Sequence, residues 1–442
     1  MVKVITYGTF DMFHNGHFRL LKRAKEQGDY LIVGVTSEDY DRSRGKIHVI
    51  EDTQKRLAAI KELDFVDEVI IETHKGQKAL DIQKYNIDKF VIGDDWIGHF
   101  DYLKEYCEVV YLPRTPGISS TLLRESIDHN VNIGIIGTGR IATRFVKEAQ
   151  KVDNLTVTSV LSSSEERVNA FTKEHTINFA YTNIDHFLSD DDKINAVYIA
   201  SQHDTHYEYS KKALLAGKHV LCEKPAVLEK GQIEELLKIA EEKDLVYLEA
   251  IKTAFFPAFN NILKVAQSKL GDIESVKTSF TKIFDSKEGR EFSQNGGSLL
   301  EFGTYVYLLP VKLFGKHTSI HTHSTLSDGV ETSTFSLIEF NTKVAQTHTS
   351  ITHKAEGDAI ISGNKGYIYV PAPWWKTKKF YIRYEDHNIE EKYEYDTDDE
   401  GLIYEIIEFI SLINKKYDKS SRLTKDDMIN LNNLLIDARK NI

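Results

Sequence analysis

Asn132-Ile133-Gly134-Ile135-Ile136-Gly137-Thr138-Gly139-Arg140-Ile141-Ala142 decides the fold of the larger part of this chain. An apolar strand runs into a G-x-G-x-x-A turn, and a helix-period segment follows. In that context each small residue has a physical use. Gly137 permits the tight turn, Gly139 lets a pyrophosphate approach the backbone, and Ala142 keeps the helix close to the strand. Arg140 and Ile141 open the helix whose free N–H groups would face that pyrophosphate. A second start of the same kind lies upstream, where residues 2–7 lead into Gly8-Thr9-Phe10-Asp11.

Working outward, each turn is followed by a helical period and another β-rich run, at residues 30–36 and 155–161. Strands alternating with amphipathic helices predict parallel α/β sheets, and two independent starts predict two of them. Further strands are expected at 68–71, 89–92 and 108–112 in the first sheet, with a closing helix at 120–128. In the second they are expected at 196–200, 219–222 and 245–248. Beyond Phe256-Pro257 a helix (258–269) leads into long alternating stretches at 275–284, 319–325, 333–340, 345–352 and 366–370. Alternation of this kind suits an antiparallel sheet with one covered face. Two helices, at 402–415 and 425–440, end the sequence, and the acidic run 394–400 is expected to be a solvated loop. The predicted class is α/β: a Rossmann-like domain (1–129), a dinucleotide-binding Rossmann domain (131–250), and an α+β domain with a mostly antiparallel sheet (251–442).

A chain of 442 residues exceeds what one core supports. The net charge of −11 argues against nucleic-acid binding, and obliges any anionic substrate to be met by local Lys and Arg clusters. Cys107 and Cys222 are the only cysteines and stand in no metal-binding or disulfide spacing. The first residues pattern as a strand and not as a signal peptide, and no apolar run is long enough to insert in a membrane. The expectation is a cytoplasmic enzyme of small molecules.

Gly8-Thr9-Phe10-Asp11-Met12-Phe13-His14-Asn15-Gly16-His17 ends a strand and opens a helix, with two histidines three apart at its N-terminus. Free N–H groups there favour phosphate, and His14 and His17 can donate to phosphoryl oxygens as charge builds on them. At the far end of the same unit, Arg114 can pair with phosphate, and Ser119, Ser120 and Thr121 supply hydroxyls where another helix begins.

Both pieces resemble the cytidylyltransferase family of HxGH nucleotidylyltransferases, most closely its bacterial glycerol-3-phosphate branch. Supporting segments are Val66-Asp67-Glu68-Val69, Gly93-Asp94-Asp95-Trp96, and Glu108 through Arg114-Thr115. The resemblance implies transfer of CMP from CTP to a phosphomonoester, with Mg²⁺ present. His14, His17, Lys46 and Arg114 would contact the triphosphate. Gly8, Thr9, Phe10, Thr115 and the 119–121 hydroxyls would form the nucleotide seat. Asp11 and Asp94 would bind or orient Mg²⁺ or cytidine groups, Arg56 would be a phosphate-contacting cation, and Asp95 and Trp96 would bind substrate. The stretch Arg42-Ser43-Arg44-Gly45-Lys46 departs from the glycerol phosphate enzymes, which leaves the acceptor open.

In the second unit the residues after the second strand are Leu161-Ser162-Ser163-Ser164-Glu165-Glu166-Arg167. Ser162 and Ser163 with a nearby arginine suit a 2′-phosphate, so NADP(H) is favoured over NAD(H), although Glu165 can reach a ribose and Ser164 can simply cap a helix. Then comes Cys222-Glu223-Lys224-Pro225, a lysine delivered by a buried strand to the carboxyl edge of the sheet. Glu-Lys-Pro here, Glu249-Ala250, Phe256-Pro257 and Gly296-Gly297-Ser298-Leu299-Leu300-Glu301-Phe302-Gly303-Thr304-Tyr305 resemble the Gfo/Idh/MocA oxidoreductases. The resemblance implies a site in which Glu223 and Lys224 lie near the nicotinamide. Glu301 stands where the family usually has Asp, and Tyr305 is the proton donor, its pKa lowered by Lys224. Ala254 replaces an arginine often found there. Lys252 is either a contact to a substrate phosphate or a plain surface lysine. By the same analogy the last sheet serves a homodimer or higher assembly.

Together the two resemblances imply reduction of a sugar phosphate to an alditol phosphate followed by CMP transfer, giving a CDP-polyol for teichoic acid or capsule. The rivals are a cytidylyltransferase with a non-catalytic oxidoreductase-like scaffold, and an ATP-using adenylyltransferase.

Overall fold

The computed structural model describes residues 1–11, 13, 15–43, 51–74, 76–112, 130–152, 154–190, 193–284, 289–386, 388–395, 400–414 and 419–442, without the side chains of 15, 16, 42, 43 and 95. The chain forms two compact units, Met1–Glu125 and Ser126–Ile442.

The first unit is built on five parallel strands, β1 (Lys3–Gly8), β2 (Tyr30–Thr36), β3 (Glu68–Glu72), β4 (Lys89–Gly93) and β5 (Glu108–Leu112), in the order β3-β2-β1-β4-β5. Central β1 and β2 are buried on both faces, which is why they pattern as continuous apolar runs. Two apolar clusters lie on opposite faces, one containing Val4, Leu21, Leu31 and Ile60, the other Ile5, Ile32, Ile82 and Phe90. The strand order reverses between β1 and β4, so the Gly8–Asp11 loop and the Asp94–Trp96 turn both stand at the carboxyl edge beside the crevice where such sheets bind ligands. The helix expected at 120–128 lies outside the described residues.

The second unit contains a six-stranded parallel sheet: β6 (Val131–Ile136), β7 (Leu155–Leu161), β8 (Phe179–Tyr181), β9 (Ala196–Ile199), β10 (His219–Glu223) and β11 (Tyr247–Ala250). Their order, β11-β10-β9-β6-β7-β8, is that of a dinucleotide-binding sheet, reversing between β6 and β9. Gly137 sits at that reversal. Its φ is +111°, and a Cβ there would stand 2.5 Å from the Ala200 carbonyl oxygen at the end of β9. Gly137→Ala therefore loses about 2–4 kcal/mol of stability in this unit, from the forbidden φ plus a clash with backbone. Denaturant melting followed alongside dinucleotide affinity checks this; wild-type stability in the variant would contradict it.

The remainder is an eight-stranded sheet: β12 (Ile273–Thr281), β13 (Ser319–Ser327), β14 (Val330–Phe340), β15 (Lys343–Ser350), β16 (Ala359–Gly363), β17 (Gly366–Val370), β18 (Lys379–Arg383) and β19 (Glu390–Glu394). The order is β13-β14-β15-β12-β16-β17-β18-β19. One pair breaks the antiparallel expectation: β12 and β15 run parallel, because β12 enters the middle of the sheet before the hairpins on either side. β12 also ends at Thr281 rather than at 284. Residues alternate along the second half of β14, from Thr334 to Phe340, burying Ile338 and Phe340 while exposing Phe335 and Leu337. The buried face packs on the helix Ser298–Phe314, which in turn packs on the last helix, Lys425–Lys440. Glu331 on β14 caps the first of these, its carboxylate accepting from the Leu299 N–H at 2.9 Å and the Ser298 hydroxyl at 2.5 Å. That cap fixes the start of the segment carrying Glu301 and Tyr305.

Candidate functional site

In the first unit the loop after β1 folds back on itself. Phe10 adopts φ +52°, buries its ring over Gly8, and meets the His17 ring edge-on at 5.3 Å between centroids. Thr9 donates its hydroxyl to Asp41 at 3.0 Å, and the buried Asp11 carboxylate accepts from the Glu51 N–H at 2.9 Å. Arg56 is wholly buried. It donates to the Thr9 and Thr36 carbonyls at 2.6 and 2.8 Å, to the Glu51 carbonyl at 2.9 Å, and faces Asp41 at 3.6 Å. The expectation that Arg56 contacts a substrate phosphate is therefore corrected: its guanidinium ties the loop to β2 and to the segment before its own helix. Phe10 likewise contributes packing. Asp94 is half-buried and Trp96 exposed at the β4 edge, with Trp96 against Phe100 at 5.7 Å. His14, Lys46, Arg114, Thr115, Ser119, Ser120, Thr121 and the Asp95 side chain lie outside the described residues. Among the described residues no group of three or more His, Cys, Asp or Glu is arranged to hold a metal, and Asp11 has an oxygen on backbone.

In the second unit a cleft of about 990 Å³ opens at the carboxyl edge of the parallel sheet. It runs from Gly139 and Arg140 past Glu223, Lys224 and Lys252 to Tyr305 and the third sheet. A Cβ on Gly139 would meet nothing within 4 Å, which leaves the space a pyrophosphate needs beside the helix Arg140–Ala149. Arg140 is mostly exposed and pairs with Glu291 at 3.2 Å, while Ile141 lines the same wall. At the β7 edge Ser162 is buried and exposed Ser163 accepts from Arg167 at 3.4 Å. Ser164 accepts from the Arg167 N–H and is a plain N-cap. These groups fit a dinucleotide.

At the other end, the Lys224 ammonium donates to the Glu301 backbone carbonyl at 2.8 Å and stands 5.5 Å from the centre of the Tyr305 ring. Glu301 and Tyr305, one helical turn apart, share a face. The nearly buried Glu301 carboxylate faces Arg290 at 3.5 Å. Glu223 accepts from the buried Tyr198 hydroxyl at 2.6 Å, and burial raises its pKa. Burial, then the charges of Glu223, Glu405 and Glu301, hold the Tyr305 phenol well above its ordinary value. The expected lowering by Lys224 is therefore corrected: that ammonium is turned to a carbonyl, and Tyr305 stays a protonated donor. Lys252 is also corrected. It is 8% exposed, which removes the surface-lysine alternative.

Sequence reasoning passed over His203, Arg144, Lys376 and Glu400. His203 lines the cleft and is held neutral, its pKa brought down to about 2 by burial and then by Lys224. Only its place just after β9, at the sheet edge, signals it. Glu400 fell in the acidic run expected to be solvated, yet it pairs with Lys376, Lys252 and Arg144.

Comparison with known proteins identifies the family of each unit. Residues 5–126 match the cytidylyltransferase-like family model, and residues 131–250 match that of an oxidoreductase family with an NAD-binding Rossmann fold, Gfo/Idh/MocA. Glycerol-3-phosphate cytidylyltransferase of Bacillus spizizenii is 54% identical over 128 residues, 29% of this chain and 98% of that protein. Human trans-1,2-dihydrobenzene-1,2-diol dehydrogenase is 31% identical over 253 residues, 55% of this chain and 75% of that protein. The chain belongs to both families, one in each unit. A 3-ketoreductase from Actinomadura kijaniata, solved with NADP and TDP-benzene, shares the fold of the oxidoreductase unit with a TM-score of 0.63 at 21% identity, over 71% of this chain and 98% of that one. The protein is thus a CTP-using cytidylyltransferase fused to an NAD(P)-dependent oxidoreductase. No helix among its described residues is long and apolar enough to cross a membrane.

Proposed function

We propose that the oxidoreductase unit reduces a sugar phosphate to an alditol phosphate and that the cytidylyltransferase unit joins CMP to it, giving a CDP-polyol of the CDP-glycerol or CDP-ribitol type and pyrophosphate. Teichoic acid or capsule assembly would consume such a product. One observation carries the link between the units. The oxidoreductase cleft is lined by eight Lys or Arg side chains against three Glu, so a chain of net charge −11 concentrates cations where a substrate phosphate would sit.

When bound, the nicotinamide supplies the hydride to the carbonyl carbon. Tyr305 gives the phenolic proton to the carbonyl oxygen, and Lys224, beside the ring, stabilises the charge developing there. Glu301 and Glu223 shape the pocket around them. The Ser163–Arg167 pair and the lack of an acid at the β7 end favour NADPH. In the other unit an alditol phosphate oxygen attacks the α-phosphorus of CTP, and the bond to the β-phosphate breaks. His14, His17, Lys46, Arg114 and the 115–121 segment would screen that meeting of two anions, which is chiefly positioning and electrostatics. The reading includes a homodimer across the open face of the third sheet, where Leu326, Phe335, Leu337 and Val344 are exposed.

The protein is incubated with CTP, Mg²⁺, NADPH and a panel of sugar phosphates. Consumption of NADPH followed by pyrophosphate release is expected with at least one of them. If pyrophosphate appears only with ready-made alditol phosphates and NADPH is never oxidised, the coupled reading fails and the scaffold rival stands. ATP in place of CTP separates the adenylyltransferase rival.

A further inference from the structure

Of the eight cations of the oxidoreductase cleft, four have local partners and Lys282 stands over the Phe284 ring. Arg140 faces Glu291, Arg290 faces Glu301, Lys224 donates to the Glu301 carbonyl, and Lys354 donates to the Thr281 carbonyl at 3.1 Å. Arg144, Lys252 and Lys376 differ. They come from three separate places: the helix after the glycine turn, the end of β11, and the turn before β18. All three converge on a single oxygen, Oε2 of Glu400. Arg144 and Lys252 each stand 3.9 Å from it, and Lys376 donates to it directly. Among the described residues no acceptor lies within hydrogen-bond distance of the Lys252 ammonium, although its stem is buried. Glu400 itself is 47% exposed by side chain, and the next residue, Gly401, turns at φ +90° into the helix Leu402–Ile413. One half-exposed carboxylate thus answers three cations, two of which it touches only at ion-pair range.

We propose that Arg144, Lys252 and Lys376 form the seat for the phosphate of the oxidoreductase substrate, and that the Glu400 carboxylate occupies this seat until the substrate displaces it. The proposal rests on the sugar-phosphate reading above and adds its location and its built-in competitor. A phosphate dianion offers two charges and three oxygens in place of one charge and one oxygen, so it can satisfy all three cations at once. The Phe280 and Trp375 rings, stacked at 3.5 Å, wall the same cleft and suit the carbon chain between phosphate and carbonyl. Burial, then repulsion from Lys376, brings the Lys252 pKa down to about 8 against the opposing charges of Glu400, Glu405 and Glu223. The seat therefore holds its full charge below pH 8 and loses one unit above it. KM for a phosphorylated substrate should rise roughly tenfold per pH unit past that point.

The test uses the full chain with Glu400→Gln, Lys376→Met and Lys252→Met. Binding of inorganic phosphate to the NADPH-saturated protein should tighten about tenfold in Glu400→Gln and weaken about tenfold in either lysine variant. Misfolding cannot imitate the gain. Lys376→Met should raise KM for a sugar phosphate by about tenfold and leave KM for the unphosphorylated sugar and for NADPH alone. If KM for NADPH moves instead, the cations hold a cofactor phosphate and the proposal is wrong. If sugar phosphates are reduced with unchanged KM in all the variants, the seat is wrong while the reductase reading survives. If phosphate responds as expected but no sugar phosphate is reduced, the seat stands and the reductase reading falls.

Discussion

Tyr305→Phe lowers NADPH-dependent carbonyl reduction by about 10²–10⁴-fold, the usual contribution of a positioned proton donor, and leaves CMP transfer at the wild-type rate. The phenol is the group whose environment argues most strongly for a proton kept in reserve. Half-buried in the cleft wall and facing three glutamate charges, it stays a protonated donor. The ring packs against Phe280 at 5.3 Å, and Phe keeps that packing, so the loss should be in turnover and not in folding. The Lys224 ammonium, 5.5 Å from the ring centre, is held by the Glu301 carbonyl and serves to stabilise charge, not to supply this proton. Separate assays of NADPH oxidation and pyrophosphate release on one preparation decide the matter. Full reductase activity in the variant would move the proton to another group of the cleft.

Arg56→Met destabilises the cytidylyltransferase unit by about 3–5 kcal/mol, the cost of removing one partner of a fully buried ion pair. The guanidinium and the Asp41 carboxylate are both inaccessible to solvent, and three carbonyls of the loop and its neighbours also depend on Arg56. A lysine cannot restore this, since one ammonium cannot reach acceptors spread around a planar fork. CMP transfer should fall because the Gly8–Asp11 loop loses its tie to β2. Asp41→Asn added to Arg56→Met should recover part of the stability, as it removes a buried charge that has lost its Arg56 partner. A contact to substrate phosphate predicts the opposite pattern: an unchanged melting transition and a raised KM for CTP or the acceptor. That outcome would reinstate the family-based expectation for Arg56.

The two parallel sheets were legible because each announces itself locally. A doubly buried strand is a continuous apolar run, and the turn after it carries glycines that the geometry demands, as Gly137 shows. Lys224, Glu301 and Tyr305 were legible through motifs for the same reason. What escaped was set by distance along the chain. β12 is placed beside β15 by the whole sheet and by no local signal, so the parallel pair was missed. Arg144, Lys252, Lys376 and Glu400 are separated by more than a hundred residues between some pairs and meet only after folding. Arg56 sits in an exposed-looking, charged helix pattern whose inward face is revealed only by what covers it.

The hydrogen bond from Lys224 to Glu301 goes to a main-chain oxygen. A carbonyl persists whatever side chain the residue bears. Position 301 can therefore be exchanged, shortened or neutralised while the lysine remains aimed, provided the helix holds. Diversification of the pocket is thereby uncoupled from upkeep of its ammonium, and libraries randomised at 301 should yield altered carbonyl preference without loss of the lysine's alignment.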